Sequence, residues 1–153
     1  MIMDKEKIIG YTTGVFDMFH IGHLNVLKNA KDNCDYLIVG VTVDELVSYK
    51  KTSSIIPFNE RIQIVEACKY VDKVIPQYSM DKMEAWKEIG FDRMFVGSDW
   101  KGTDKWNKLE LEFKEANVDI MYFPYTDGTS SSKLKIALNS LINIGANRGF
   151  DEV

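Results

Sequence analysis

Two hydrophobic rhythms alternate along the chain. Short apolar runs predict five strands, at Lys7 to Val15, Asp35 to Val43, Lys73 to Pro76, Asp92 to Val96 and Val118 to Phe123. Between them, apolar side chains recur every three or four residues, as helices require. Leu24, Leu27 and Ala30 do so within Ile21 to Asn33, Ile62, Val65 and their neighbours within Pro57 to Tyr70, and Leu109 and Phe113 within Asp104 to Ala116. Met80 to Ile89 reads as a further helix, and Leu134, Leu138, Leu141 and Ile142 mark a last one, with Ser130 to Ser132 suited to its cap. The run DYLIVGVTV is continuous rather than alternating, the pattern of a parallel strand covered on both faces. Five strands alternating with helices imply one α/β domain over residues 1–153, built on a doubly wound, five-stranded parallel sheet. Its ligands are then expected beyond the C-terminal strand ends, where the strand order reverses. Ser48 to Ser54 reads as a polar connection, and 145–153 as a loose tail.

Composition narrows the function. A formal charge of −4 and a pI near 5.2 argue against an extended nucleic-acid footprint, which needs a basic surface to displace counterions. A local basic pocket for one small anion remains compatible. Cys34 and Cys68 form no CxxC or zinc-type spacing, and the charged stretch from Met1 to Lys7 does not resemble a signal peptide. A reducing cytoplasm is the expected location. No apolar run approaches the roughly 20 residues of a membrane-spanning helix.

The segment TGVFDMFHIGHL, from Thr13 to Leu24, stands where the first strand gives way to the first helix. His20 and His23 are three apart, so both imidazoles lie on one side of the helix start. Gly22 between them removes a side chain and lets a bulky anion approach the backbone. Free amides at a helix start favour phosphate, and two imidazoles add donors there. A half-formed metal site is the other reading of an HxxH pair. A structural zinc site needs about four ligands, and the chain offers no obvious completion.

This segment resembles the HxGH signature of the cytidylyltransferase family, which includes glycerol-3-phosphate, phosphocholine and phosphoethanolamine cytidylyltransferases. KYVDKVIP (Lys69 to Pro76) is similar to the family's RYVDEVIP, VGSDWKG (Val96 to Gly102) to GDDWEG, and PYTDGTSSSK (Pro124 to Lys133) to the RTEGIST segment. The matches keep family order over nearly the whole chain, and its length resembles the short bacterial glycerol-3-phosphate enzymes. The resemblance implies the Rossmann-like HxGH nucleotidyltransferase fold and a homodimer. It also implies CTP as substrate with Mg²⁺, and a small phosphorylated alcohol as acceptor, glycerol 3-phosphate being favoured.

Residue by residue, the resemblance places His20, His23 and Lys50 at the phosphates. Thr13, Gly14, Phe16 and Gly22 fall where the family's first strand meets nucleotide. Asp99 and, less specifically, Trp100 belong to the loop that holds the nucleoside; Trp100 also suits simple coverage of the core. Thr126, Gly128, Thr129, Ser130 and Ser131 form the turn before the last helix, able to bind phosphate oxygens or to act as an ordinary cap. Asp17, Arg61 and Lys69 are assigned to acceptor binding or to support of the site.

Three departures matter. A second family lysine falls on Thr52, with Lys51 next to it, and the family arginine before TEGIST is Tyr125. The arginine of RYVDEV is Lys69, which keeps the charge but loses the forked grip of guanidinium. The reading is therefore transfer of CMP from CTP, with two alternatives: an adenylyltransferase using the same HxGH site with ATP, or a nucleotide-binding protein impaired in catalysis. An aminoacyl-tRNA synthetase is discounted, because the acidic chain has no KMSKS-like segment.

Overall fold

In the computed structural model, which describes residues 7–49, 53–124 and 128–148, five strands form one all-parallel sheet in the order β3-β2-β1-β4-β5. The strands are β1 (Ile9–Gly14), β2 (Tyr36–Thr42), β3 (Lys73–Gln77), β4 (Arg93–Gly97) and β5 (Asp119–Phe123). The helices are α1 (Ile21–Asp32), α2 (Asp44–Tyr49), α3 (Phe58–Glu66), α4 (Lys82–Ile89), α5 (Asp104–Glu115) and α6 (Ser131–Arg148). The architecture is the doubly wound one that the alternation of runs implied. No described helix is long and apolar enough to cross a membrane.

Period-two alternation divides the core between the sheet's two faces. Leu37, Val39 and Val41 of β2 and Phe95 of β4 pack with Leu27 and Ala30 of α1 and Val65 of α3. Tyr11, Ile38 and Met94 point to the other face, among Trp106, Leu109 and Phe113 of α5. Tyr11 stacks on Phe91 there, ring centroids 4.9 Å apart. Burial on both faces is why the β2 run is apolar from Leu37 to Val41, with no alternation. β1 lies at the centre, hydrogen-bonded to β2 on one side and β4 on the other, so the order reverses between β1 and β4. That reversal opens the crevice in which this class of sheet binds ligands.

Several boundaries differ from the sequence expectation. α2 occupies part of the stretch expected to be a connection; it buries Val47, and its six residues are too short to display a helical period. α4 starts at Lys82, not Met80, because the Asp81 carboxylate accepts the Met83 and Glu84 amides and so fixes the helix start. It ends at Gly90, whose φ of 73° is the left-handed conformation that favours glycine. α6 runs to Arg148, so 145–148, expected in a loose tail, are helical; one internal glycine, Gly145, costs about 1 kcal/mol relative to alanine and does not end the helix.

Candidate active site

A cavity of about 450 Å³ opens at the C-terminal ends of the strands. Thr13 and Gly14 from β1, Thr42 from β2, Gln77 from β3 and Gly97 from β4 all line it. The chain leaves β1 through a strained loop in which Phe16 (φ 55°) and Met18 (φ 49°) are both left-handed although neither is glycine. Each such residue costs of order 1–3 kcal/mol and persists only where its surroundings impose it. Here the constraint is Asp17, between the two and only 2% exposed.

The Asp17 carboxylate accepts the Ile55 amide at 2.8 Å and the Ile56 amide at 2.9 Å, and Lys135 of α6 lies 3.3 Å away. Burial pushes its pKa up, but the Ile56 and Ile55 amides and Lys135 outweigh it, and the carboxyl stays below its usual range. Ser131, at the start of α6, donates to the Asp17 carbonyl at 2.6 Å. Arg61 completes the arrangement from α3 and is 1% exposed. Its guanidinium donates to the carbonyls of Ile56, Val15 and Thr42 at 2.7–2.8 Å and to the Asp44 carboxylate at 2.6 Å. Asp44 also accepts Ser54 Oγ and the Phe58 amide. The loops after β1 and β2, the segment before α3 and the start of α6 are thus pinned together.

α1 starts beyond this loop with a histidine at its N-cap. Nδ1 of His20 accepts the Gly22 amide at 3.0 Å, and Nδ1 of His23 accepts the His20 amide at 3.2 Å, a capping box made of imidazoles. A ring nitrogen that accepts carries no proton, so both neutral rings hold theirs on Nε2. The rings lie 3.9 Å apart by centroid, and Phe16 and Phe19 flank His23. A methyl added at Gly22 would lie 2.7 Å from His20 Cε1, so glycine is what lets the His20 ring fold back over the helix start.

Burial lowers the pKa of both histidines. For His23 the value falls from the ordinary 6.5 to about 4, through burial first and the neighbouring His20 second, against a smaller opposing pull from Asp17. The unfolded chain therefore takes up the proton first. The stability this contributes is fully present above pH 6.5 and is lost as pH falls towards 4. Urea midpoints measured between pH 7 and pH 4 should fall with pH, and His23→Asn should flatten the slope. An unchanged slope in that variant would remove His23 from the titration.

The chain belongs to the cytidylyltransferase-like family. The family model matches residues 11–140. Glycerol-3-phosphate cytidylyltransferase of Bacillus spizizenii is 34% identical over 137 residues, covering 89% of this chain and 99% of that one. FAD synthase of Thermococcus sibiricus is also 34% identical over 137 residues, covering 85% and 91%. Among solved structures, the lipopolysaccharide core biosynthesis protein of Thermoplasma volcanium superposes with a TM-score of 0.67 at 26% identity, covering 81% of this chain and all of that one. The enzymatic class is nucleotidyl transfer.

Most of the residues singled out in this cytidylyltransferase-like sequence gather at one place. Thr13, Gly14, Phe16, Asp17, His23 and Ser131 line the cavity, and the His20 ring lies against His23, tilted by 35°. The turn before α6 also meets α1: the Thr129 carbonyl would be 3.7 Å from a methyl at Gly22, and Gly128 faces Ile21. Ser130 caps α6, accepting the Lys133 amide at 3.1 Å. Trp100 lines the cavity, whereas Asp99 beside it is exposed and is not part of the wall. Lys50 and Thr126 lie outside the described residues, as do Thr52 and Tyr125.

Of the two roles expected for Arg61, acceptor binding or support, the structure shows support: its guanidinium is buried, bonded to four protein oxygens, and holds the loops. Lys69 is exposed in the turn entering β3, with Nζ 5.2 Å from the Tyr70 ring. It sits at the N-terminal strand edge, a five-residue strand of roughly 15 Å away from the cavity. In its place the fold supplies Lys82, Lys105 and Lys135 to the wall. Lys82 is 8% exposed and donates to Thr13 Oγ1 at 3.0 Å. A sequence signal did exist: Lys82 and Lys105 occupy the first turns of helices that follow strands, where a cation opposes the helix dipole.

Proposed function

We propose that this protein transfers CMP from CTP to a small phosphorylated alcohol of the class to which glycerol 3-phosphate, the acceptor in the relatives' names, belongs, releasing pyrophosphate. The observation that carries the reading is the pair of imidazoles whose Nδ1 atoms are committed to backbone amides at the start of α1. Their Nε2–H groups remain as donors, neutral and fixed, beside a crevice that three lysines make locally basic in an acidic protein. An oxygen of the acceptor phosphate attacks the α-phosphorus in line. The new P–O bond forms as the bond to the bridging oxygen breaks, and that electron pair leaves with pyrophosphate.

The protein's contribution is to align two anions that repel each other and to stabilise charge growing on phosphate oxygens. In this reading His20, His23 and Lys50 serve the nucleotide phosphates, while Lys82 and Lys105 draw in the acceptor phosphate. Magnesium belongs to the proposal as a counter-ion of the triphosphate. Among the described residues no group of three or more His, Cys, Asp or Glu is placed to hold a metal ion. Asp17 accepts two amides and faces Lys135, so phosphate oxygens and water would supply most of the coordination. The reading includes a cytoplasmic homodimer.

The relatives named FAD synthase motivate a second reading, AMP transfer from ATP at the same cradle. Thermal shift separates the two, because a ligand selective for the native state raises its melting temperature with occupancy. CTP should stabilise the protein more than ATP, and CTP with glycerol 3-phosphate should release pyrophosphate. Stronger stabilisation by ATP would replace CMP transfer with AMP transfer.

A further inference from the structure

A second hollow, of about 320 Å³, lies beside the cavity between the start of α4 and one face of α5. Met80, Lys82 and Lys105 line both spaces, so the two adjoin at those side chains. Lys108, Leu109 and Glu112 continue the α5 wall, and Asp81 and Met83 close the α4 side. Resting on the CMP-transfer reading, we propose that this groove holds the far end of the acceptor, and that the acceptor is a polyol phosphate with a carbon chain longer than glycerol's.

The wall chemistry selects that class. Met80, Met83 and Leu109 offer apolar surface to the C–H side of a chain. Lys105 and Lys108 donate hydrogen bonds and Glu112 accepts them; a hydroxyl can use both kinds of partner. A second anion at the far end would meet the Glu112 carboxylate. A quaternary ammonium would require an aromatic face, and none of the groove residues is aromatic. Lys82 stands where the two spaces join and is anchored to the end of β1 through Thr13. A phosphate drawn to that junction has the histidine-flanked cavity on one side for reaction and the groove on the other for its ester chain.

The test uses the full-length protein with saturating CTP and pyrophosphate release as readout. Glycerol 3-phosphate, erythritol 4-phosphate and ribitol 5-phosphate are compared as acceptors. From three carbons to five, kcat/KM should rise about tenfold, carried by KM, since each added hydroxyl contributes one modest hydrogen bond. In Glu112→Gln, which preserves shape, that gain should shrink to about twofold with an unchanged melting temperature. Equal or better use of glycerol 3-phosphate than of the longer acceptors would overturn the groove assignment and leave CMP transfer standing. No pyrophosphate with any acceptor would remove both.

Discussion

His23→Ala and His20→Ala should each lower CMP transfer about a hundredfold or more while leaving the protein folded, the usual cost of deleting one donor aimed at a charge-developing oxygen. Alanine at position 20 removes an N-cap acceptor as well, worth about 1 kcal/mol, so a modest fall in melting temperature should accompany it. The sharper variant is His23→Asn, whose amide can still accept the His20 backbone N–H. If the ring serves only as a cap, His23→Asn keeps turnover; if Nε2–H serves the phosphates, turnover falls while the melting temperature holds. Near-normal turnover in both alanine variants would end the imidazole-cradle reading.

Arg61→Ala should be the most destabilising single change near the site. It would take the guanidinium donor from the carbonyls of Ile56, Val15 and Thr42, the last of them buried, and from the Asp44 carboxylate. Each acceptor left without a partner inside the protein costs about 1–3 kcal/mol, against a total stability of about 5–15 kcal/mol for a typical domain; Asp44, 46% exposed, adds little to the loss. Urea unfolding checks it, with Arg61→Lys as companion should the alanine protein not accumulate. Lysine keeps the charge but cannot reach four oxygens at once, so its midpoint should lie between the other two. A loss under about 1 kcal/mol in Arg61→Ala would show that the loops hold without it.

The sheet was legible because its signals are local. A continuous run such as DYLIVGVTV can be satisfied only by a strand covered on both faces, and Leu37, Val39 and Val41 are fully buried. The histidine pair was legible for the same reason: cap, glycine and ring spacing all fall within four residues. Long-range roles were not. Asp17 acts through amides 38 and 39 positions away, and Arg61 reaches the Val15 carbonyl 46 positions away, so nothing near either in the chain reveals what it touches. Lys69 shows the reverse error: a motif identifies a residue but not the edge of the sheet on which it falls. Lys135, within the last helix, became part of the site only through the order in which strands and helices assemble.

The placement of β1 has a consequence for how the molecule is made. The first strand to leave the ribosome is the central one, and its pairing on one side waits for β4; Thr12 Oγ1 bonds the Phe95 carbonyl, 83 residues later. β1, β2 and β3 can close over α1 and α3 early, on contacts between near neighbours in sequence. The crevice cannot exist until β4 docks, nor its last wall until Ser131 reaches the Asp17 carbonyl across 114 residues. A nascent chain therefore gains its scaffold well before its capacity to bind anything. The strained turn at Phe16 and Met18 gains its last ties, from Ser131 and Lys135, only once the final helix has been synthesised.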